Sequence, residues 1–411
     1  FHLLAPVATN SNHPSSTIKT AYAALFSGAS LSVGGGATVT YEATATLVSA
    51  RTVTVFGVGP AVVETWRINA AGMVPGTLPA TVEVAALLER DTTAAESYAI
   101  FATGGGCGAI NLVGNVSTDS YDSTDPTSMA TTPPTTQPSG GAVGTNGNLS
   151  IAGNVTVNGN LDTPRTGVGA CNSGTPTAFT GTGQATLNGD IVQLPQAKVY
   201  PTPIAPSPMP GTTSLSITSS TTCVSLSLYI LPPATCSLSG SNLTLTANGQ
   251  PITLPNVAMS GGMTLTLSGG TSPTVNLNLN TFSMAGNSSL VLATGTAVVM
   301  NVAGQGVGTS DTAVDFTGGT LTNGSYDPSK FQILYAGTGQ IKVGGTSDTA
   351  ALIYAPNAFV DMSGNAGFYG SVLSKTFKDN GGARMHYDRS LANKLTTLGN
   401  HVMSSFSWQK Y

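Results

Sequence analysis

Asp119, Asp122 and Asp125 stand three apart in the turn-prone run VSTDSYDSTDP. Carboxylates so spaced suit Ca²⁺, which takes about six to eight oxygen ligands in loose geometry. The run lacks the spacing and closing Glu of an EF-hand loop, and Asx-turns on a solvated loop would use the same side chains. Calcium is the one cofactor the sequence suggests. Cys107, Cys171, Cys223 and Cys236 include no C-x-x-C pair, and with 4 histidines in the chain a zinc site is not expected. An even number of cysteines in a Thr/Ser/Asn-rich chain reads as two disulfides in an oxidising compartment, with buried free thiols as the alternative. Cys223 and Cys236 bracket the short segment CVSLSLYILPPATC, which Pro232-Pro233 turns back, and so pair with each other. Cys107 and Cys171 are then left as partners.

A polysaccharide-cleaving enzyme needs carboxylates clustered on one face. Asp162, Asp190, Asp311, Asp315, Asp327, Asp348 and Asp361 are solitary in the sequence. The mixed group Lys375, Lys378, Asp379, Arg384, His386, Asp388 and Arg389 reads as a solvated end-face. G-x-S-x-G, Walker and H-E-x-x-H motifs are absent. No catalytic residue is therefore assigned, and the protein is expected not to be an enzyme. Sequons at Asn115, Asn148, Asn154, Asn242, Asn287 and Asn323 fit glycosylation, but such a composition also produces them by chance.

The elements that position these residues are short strands. In 350–391, Leu352, Tyr354 and Phe359 alternate with small or polar residues, Gly364-Asn365 breaks the run, and Phe368, Val372 and Phe377 follow. LSIAGNVTVNGNL (149–161) and SLSGSNLTLTANGQPITL (237–254) repeat this pattern of period-two runs with Gly/Asn corners. The expected fold is mainly all-β: a parallel β-solenoid preceded by a small antiparallel sheet with a short helix, and closed by a short C-terminal helix. Residues 1–96 are read as the N-terminal region, with a helix over 17–29 and four β-rich runs from 37 to 90. Residues 97–388 are read as the solenoid, with Pro/Thr-rich loops near 124–147 and 200–211. The second of these reads as an extended polyproline-like strap or, in plainer terms, a surface linker between two solenoid blocks. Residues 389–411 are expected to form a helical cap, with Leu391, Leu395 and Leu398 at helical spacing. Trp66, Tyr354, Phe368 and Tyr369 are expected core residues.

Only 8% of the residues are charged, and the net charge is −4. Ordinary globular proteins have about 25% charged residues. No basic stripe exists to neutralise phosphates, which excludes an electrostatic case for nucleic acid. No run of about 18 apolar residues is present to span a membrane, and the chain does not open with a signal peptide, as expected of a mature or trimmed form.

Three groups of residues carry a resemblance. Trp66-Arg67-Ile68, Gly72 and Ala80–Val84 form the first. Thr118–Ser123, Gly144–Gly147 and Ile151–Val157 form the second. Tyr354–Asn357, Ser363–Asn365, Phe368–Gly370 and His386–Asp388 form the third. Over roughly 60 to 390 the chain resembles bacterial proteins related to the minor pilin PilX, which join a pilin-like N-terminal part to an extracellular β-helical domain. Phe1-His2-Leu3-Leu4 and Val7-Ala8 resemble the start of a mature pilin, but Pro6 interrupts the long apolar helix that packs such pilins into fibres. The resemblance implies a place outside the cell or on its surface, and neither an activity nor a ligand. The expected function is that of a structural or adhesive subunit, pilus-associated or filament-forming. Copies would assemble head-to-tail, with Phe1, Leu3, Leu4 and Val7 docking on a neighbour, and other pilus subunits or surface glycans as further partners. A carbohydrate-active β-helix enzyme and a glycan-binding surface module are the alternatives.

Overall fold

Runs such as Asn-Leu-Thr-Leu-Thr (242–246) and Thr-Leu-Thr-Leu-Ser (264–268) put leucines on one side of a strand and hydroxyls on the other. A single such strand cannot bury its leucines, so stacking of successive strands is what makes a core. The computed structural model describes residues 28–33, 37–74, 80–345 and 347–410. The protein is mainly β, with parallel ladders, an antiparallel sheet and almost no helix. It divides into two compact units, one from Ala94 to Leu395 and the other holding residues up to Thr93 together with those from Thr396.

The larger unit is a stack of parallel rungs. One column of paired residues runs through it without a break: Ile252, Leu277, Met300, Ile333, Ile353, Val372, Ile100, Val143, Leu161 and Ile191. All but Ile191 are buried. A second ladder carries an outward row in which Asp315, Lys342, Asp361 and Lys378 face one another in turn across adjacent strands. Opposite charges directly across a ladder favour that register and disfavour a slip by one residue. The third set of strands is in two pieces. One is the five-stranded sheet from Thr235–Ser239 to Gly319–Thr322, and the other joins 367–369, 384–388, 117–121, 156–157 and 186–187.

The chain does not climb this stack in sequence order. Residues 94–193 build the upper rungs, and residues 214–388 build the lower ones and rise until Val372 meets Ile100. The chain enters and leaves at mid-height, where Ala95 N donates to Leu395 O at 2.8 Å. The return from top to bottom is made by the Pro-rich stretch. Prolines leave carbonyls without backbone donors nearby, and amide and phenol side chains at several heights of the stack supply them. Going down, Asn146 Nδ2 donates to Lys198 O (2.8 Å), Tyr354 Oη to Pro201 O (2.8 Å), Gln305 Nε2 to Pro210 O (2.7 Å) and Asn256 Nδ2 to Thr212 O (2.7 Å). Tyr200 packs against Phe101 and Tyr354. The stretch is thus a strap bonded along the stack, which is more than a surface linker.

The smaller unit is an antiparallel sheet in the order Ala29–Val33, Ala37–Val55, Gly59–Val74, Ala80–Ala94 and Thr396–Lys410. The last strand corrects the expected helical cap. Helix is confined to Leu391–Lys394, and the chain then extends for 15 residues as the fifth strand of this sheet. Alternating Ser404, Phe406 and Trp408 side chains suit such a strand, and pairing along a sheet edge overrides the weaker helical spacing of the leucines. The helix expected over 17–29 lies outside the described residues except for its last two positions, and Ala29 opens a strand. Phe1, Leu3, Leu4 and Val7 lie outside the described residues as well. The expected loop over 124–147 ends early, because Val143–Thr145 is a buried strand of the stack. Gly144 permits it, since a Cβ there would lie 2.6 Å from the Phe101 ring.

Candidate functional site

The seam between the two blocks gathers more side-chain chemistry than any rung alone. Strand 384–388 pairs with strand 117–121, setting His386 opposite Asp119. His386 Nδ1 lies 2.5 Å from Asp119 Oδ1. The Tyr369 ring packs on His386 with centroids 4.4 Å apart, and Tyr121 and Tyr326 meet Tyr369 edge-on. Tyr121 Oη donates to Tyr326 O at 2.7 Å. Asp388 accepts from Ser123 N, Ser390 N and Ser390 Oγ. Asp348 accepts from Gly367 N at 2.7 Å. These contacts use the acids as fasteners between rungs.

Beside the seam lies a buried carboxyl that sequence reading passed over. Glu96 is 2% exposed, and its Oε2 lies 2.5 Å from Ser371 Oγ. Ser371 Oγ also lies 2.6 Å from the Tyr98 carbonyl oxygen. One hydroxyl proton cannot serve two acceptors, so both contacts are satisfied when Glu96 is protonated and donates to Ser371. Burial pushes the Glu96 carboxyl up to about 8. Asp379, in the mixed charge group, is likewise buried and pushed up to about 6, chiefly by desolvation.

The sequence-derived residues are distributed as follows. Asp122 Oδ1 accepts from Thr124 N and Oγ1, and Asp125 Oδ1 from Thr127 N, so both close Asx-turns. With Asp119 on His386, the three carboxylates do not converge, and no group of three His, Cys, Asp or Glu among the described residues is disposed to hold a metal ion. Cys107 is bonded to Cys171 and Cys223 to Cys236. Trp66 is buried with Nε1 donating to Glu64 Oε2, and Tyr354, Phe368 and Tyr369 are buried in the stack. In the antiparallel sheet a cavity of about 440 Å³ lies between Glu42, Asn69, Glu83 and Trp408, none of which the sequence singled out as a site.

The two ends of the stack differ from its middle. At the top, Phe179–Gly183, Thr186–Leu187 and Ile191–Gln193 are the last strands of their ladders among the described residues. All of Ile191–Gln193 is exposed, including Ile191 and Val192. At the bottom, the segment closed by Cys223–Cys236 lies beside the last rung. It buries Leu226 and Ile230 and exposes Val224 and Leu228, each 82% accessible. A further signal was open to inspection in the sequence: residues 199–310, 112 positions, contain no Asp, Glu, Lys, Arg or His. They make up most of the strap and the lower rungs.

Residues 241–394 match the family model described as Domain of unknown function (DUF7305). That match covers less than half of the chain. No curated protein matches. Among solved structures, the competence-associated pilin ComZ from Thermus thermophilus is similar at 12% identity, over 94% of this chain and 87% of that chain, with a TM-score of 0.29. The likeness is distant, and at that score it carries no argument about function.

Proposed function

We propose that the protein is a non-enzymatic structural or adhesive subunit, extracellular or on the cell surface and pilus-associated, whose larger unit is a β-solenoid that joins copies head-to-tail. The unlike ends of the stack carry this reading. The top offers open strand edges with Ile191 and Val192 exposed, and the bottom offers a disulfide-closed cap with Val224, Leu228 and Leu231 exposed. Two different surfaces that meet make a heterologous contact, which repeats into a filament when the rotation does not close. Open edges invite strand pairing, and the low charge leaves little repulsion between copies. Two disulfides support an oxidising location. The non-enzymatic part rests on the acids, which act as turn formers and rung fasteners.

Electron microscopy and sedimentation of the full chain test the proposal. Particles that lengthen with concentration are expected, and Val224→Asp with Leu228→Asp should return them to single copies without lowering the melting temperature. A wild-type chain that stays monomeric at high concentration would overturn it.

A further inference from the structure

The charge-free stretch includes four of the five strands of the sheet from Thr235–Ser239 to Gly319–Thr322, and that sheet has an unusual outer face. Its inward leucines, such as Leu243, Leu265, Leu290 and Leu321, are in register and buried. The outward side is half-exposed and carries a row formed by Asn242, Thr264, Ser289 and Thr320, beside a second row of Thr244, Thr266, Val291 and Thr322 in which Val291 is the one apolar member. Hydroxyls and amides therefore repeat at about 4.8 Å up the stack and about 6.7 Å along each strand, over a patch of roughly 19 by 17 Å. The sheet has no ionisable side chain and no aromatic ring. Next to its upper two strands a corner cavity of about 220 Å³ opens between Thr294, Thr296, Asn323, Ser325 and Lys330. That is smaller than the pockets which enclose drug-sized ligands, and it suits one sugar ring rather than a chain.

We infer that this face and its corner cavity bind a neutral polysaccharide. The sheet offers a charged ligand no countercharge to offset its lost hydration, and the one charge at the site is the exposed Lys330 at the corner cavity. A polyol instead meets periodic donors and acceptors of its own kind, already ordered by the stack, so little freedom is lost on binding. This gives the adhesive part of the proposed function a ligand class, and rests on that reading only for the protein's place outside the cell. It leaves the top of the stack untouched and meets the bottom only at strand Thr235–Ser239, where Cys236 joins the cap.

The full chain is mixed with microcrystalline cellulose, chitin and soluble dextran, and depletion from solution is measured. Saturable binding to at least one, unchanged between about 0.05 and about 1 M salt, is expected. Thr244→Asp and, at the exposed edge of the same face, Thr322→Asp should each weaken it about tenfold or more, whereas Ser150→Asp on another ladder should not. Melting curves show whether each variant is folded, and the two placements make the result independent of either one. The end variant Val224→Asp, which tests assembly, should bind as the wild type does, so a failure of assembly and a failure of this inference are told apart. No binding to any of the three, binding lost in salt, or a folded Thr322→Asp that binds normally would overturn the inference.

Discussion

Replacing Glu96 by Gln is expected to stabilise the protein at pH 8 and to leave it almost unchanged below about pH 4.5. Glu96 is buried beside Ser371, and its carboxyl is held up at about 8 from an ordinary value of 4.5. In the unfolded chain it ionises near the ordinary value, so between these two pH values the folded protein binds a proton that the unfolded chain has released. Stability attributable to this group is then full below about pH 4.5 and falls as pH rises, by about 1.4 kcal/mol per pH unit, until it levels off near pH 8. The whole difference is about 5 kcal/mol as an order of magnitude. A Gln side chain donates to Ser371 Oγ as the protonated acid does, and carries no ionisation penalty. Urea unfolding of both proteins at half-unit steps from pH 4 to pH 9 measures the effect, with equal m-values confirming that the same surface is exposed. The curves should coincide at the acid end and diverge steadily above it. Parallel curves from pH 5 to pH 8 would refute the protonated Glu96 and the hydrogen-bond assignment that depends on it.

Asp379, held up at about 6 from 3.8, should behave in the same direction over its own window, so Asp379→Asn is expected to flatten the pH profile between those values without changing it above. Phe368→Ala should lower stability by roughly 3–5 kcal/mol, because the ring is buried in the stack; an unchanged melting temperature would place it at the surface. Mass spectrometry without reductant should find Cys107 linked to Cys171 and Cys223 to Cys236. Reduction of the shorter loop should cost about 3 kcal/mol and of the longer about 4 by chain entropy, read from urea midpoints of the single-pair Ser variants. Addition of calcium or of a chelator should leave the melting temperature unmoved, since Asp119, Asp122 and Asp125 are each engaged separately; a rise with calcium would show that they converge after all.

Local alternation was readable wherever one side of a strand is buried. Leu243 and Leu245 face in and Thr244 faces out because the period of two leaves no other arrangement. Disulfide pairing was readable from Pro232-Pro233, which folds a short loop back on itself. The order of the rungs was not. Nothing near Ile100 reveals that its neighbour below is Val372, because parallel pairing is set by registers between residues far apart in sequence. The last strand was misread for a related reason. Thr396–Lys410 is defined by a sheet edge supplied from the other end of the chain, while the leucine spacing that suggested a helix is local. Glu96 gave no signal, since a lone Glu before Ser97-Tyr98 looks like a surface residue until the seam closes over it. The absence of charge from 199 to 310, by contrast, was legible and needed only to be counted.

Entry at mid-height also sets the order in which the larger unit can be completed. Residues 94–193 leave the ribosome first, yet the lower edge of Ile100–Ala102 has no partner until Val372–Ser374 have been made. The strap precedes all but the highest of its anchors, so Pro201 and Pro210 must wait for Tyr354 and Gln305. Closure of the seam is therefore a late, long-range event, and contacts of that sequence separation slow folding. Until it occurs the nascent chain holds an unpaired strand edge open to its neighbours. A chain arrested before residue 372 should accumulate with that edge exposed, and a peptide carrying residues 367–379 added in trans should silence it.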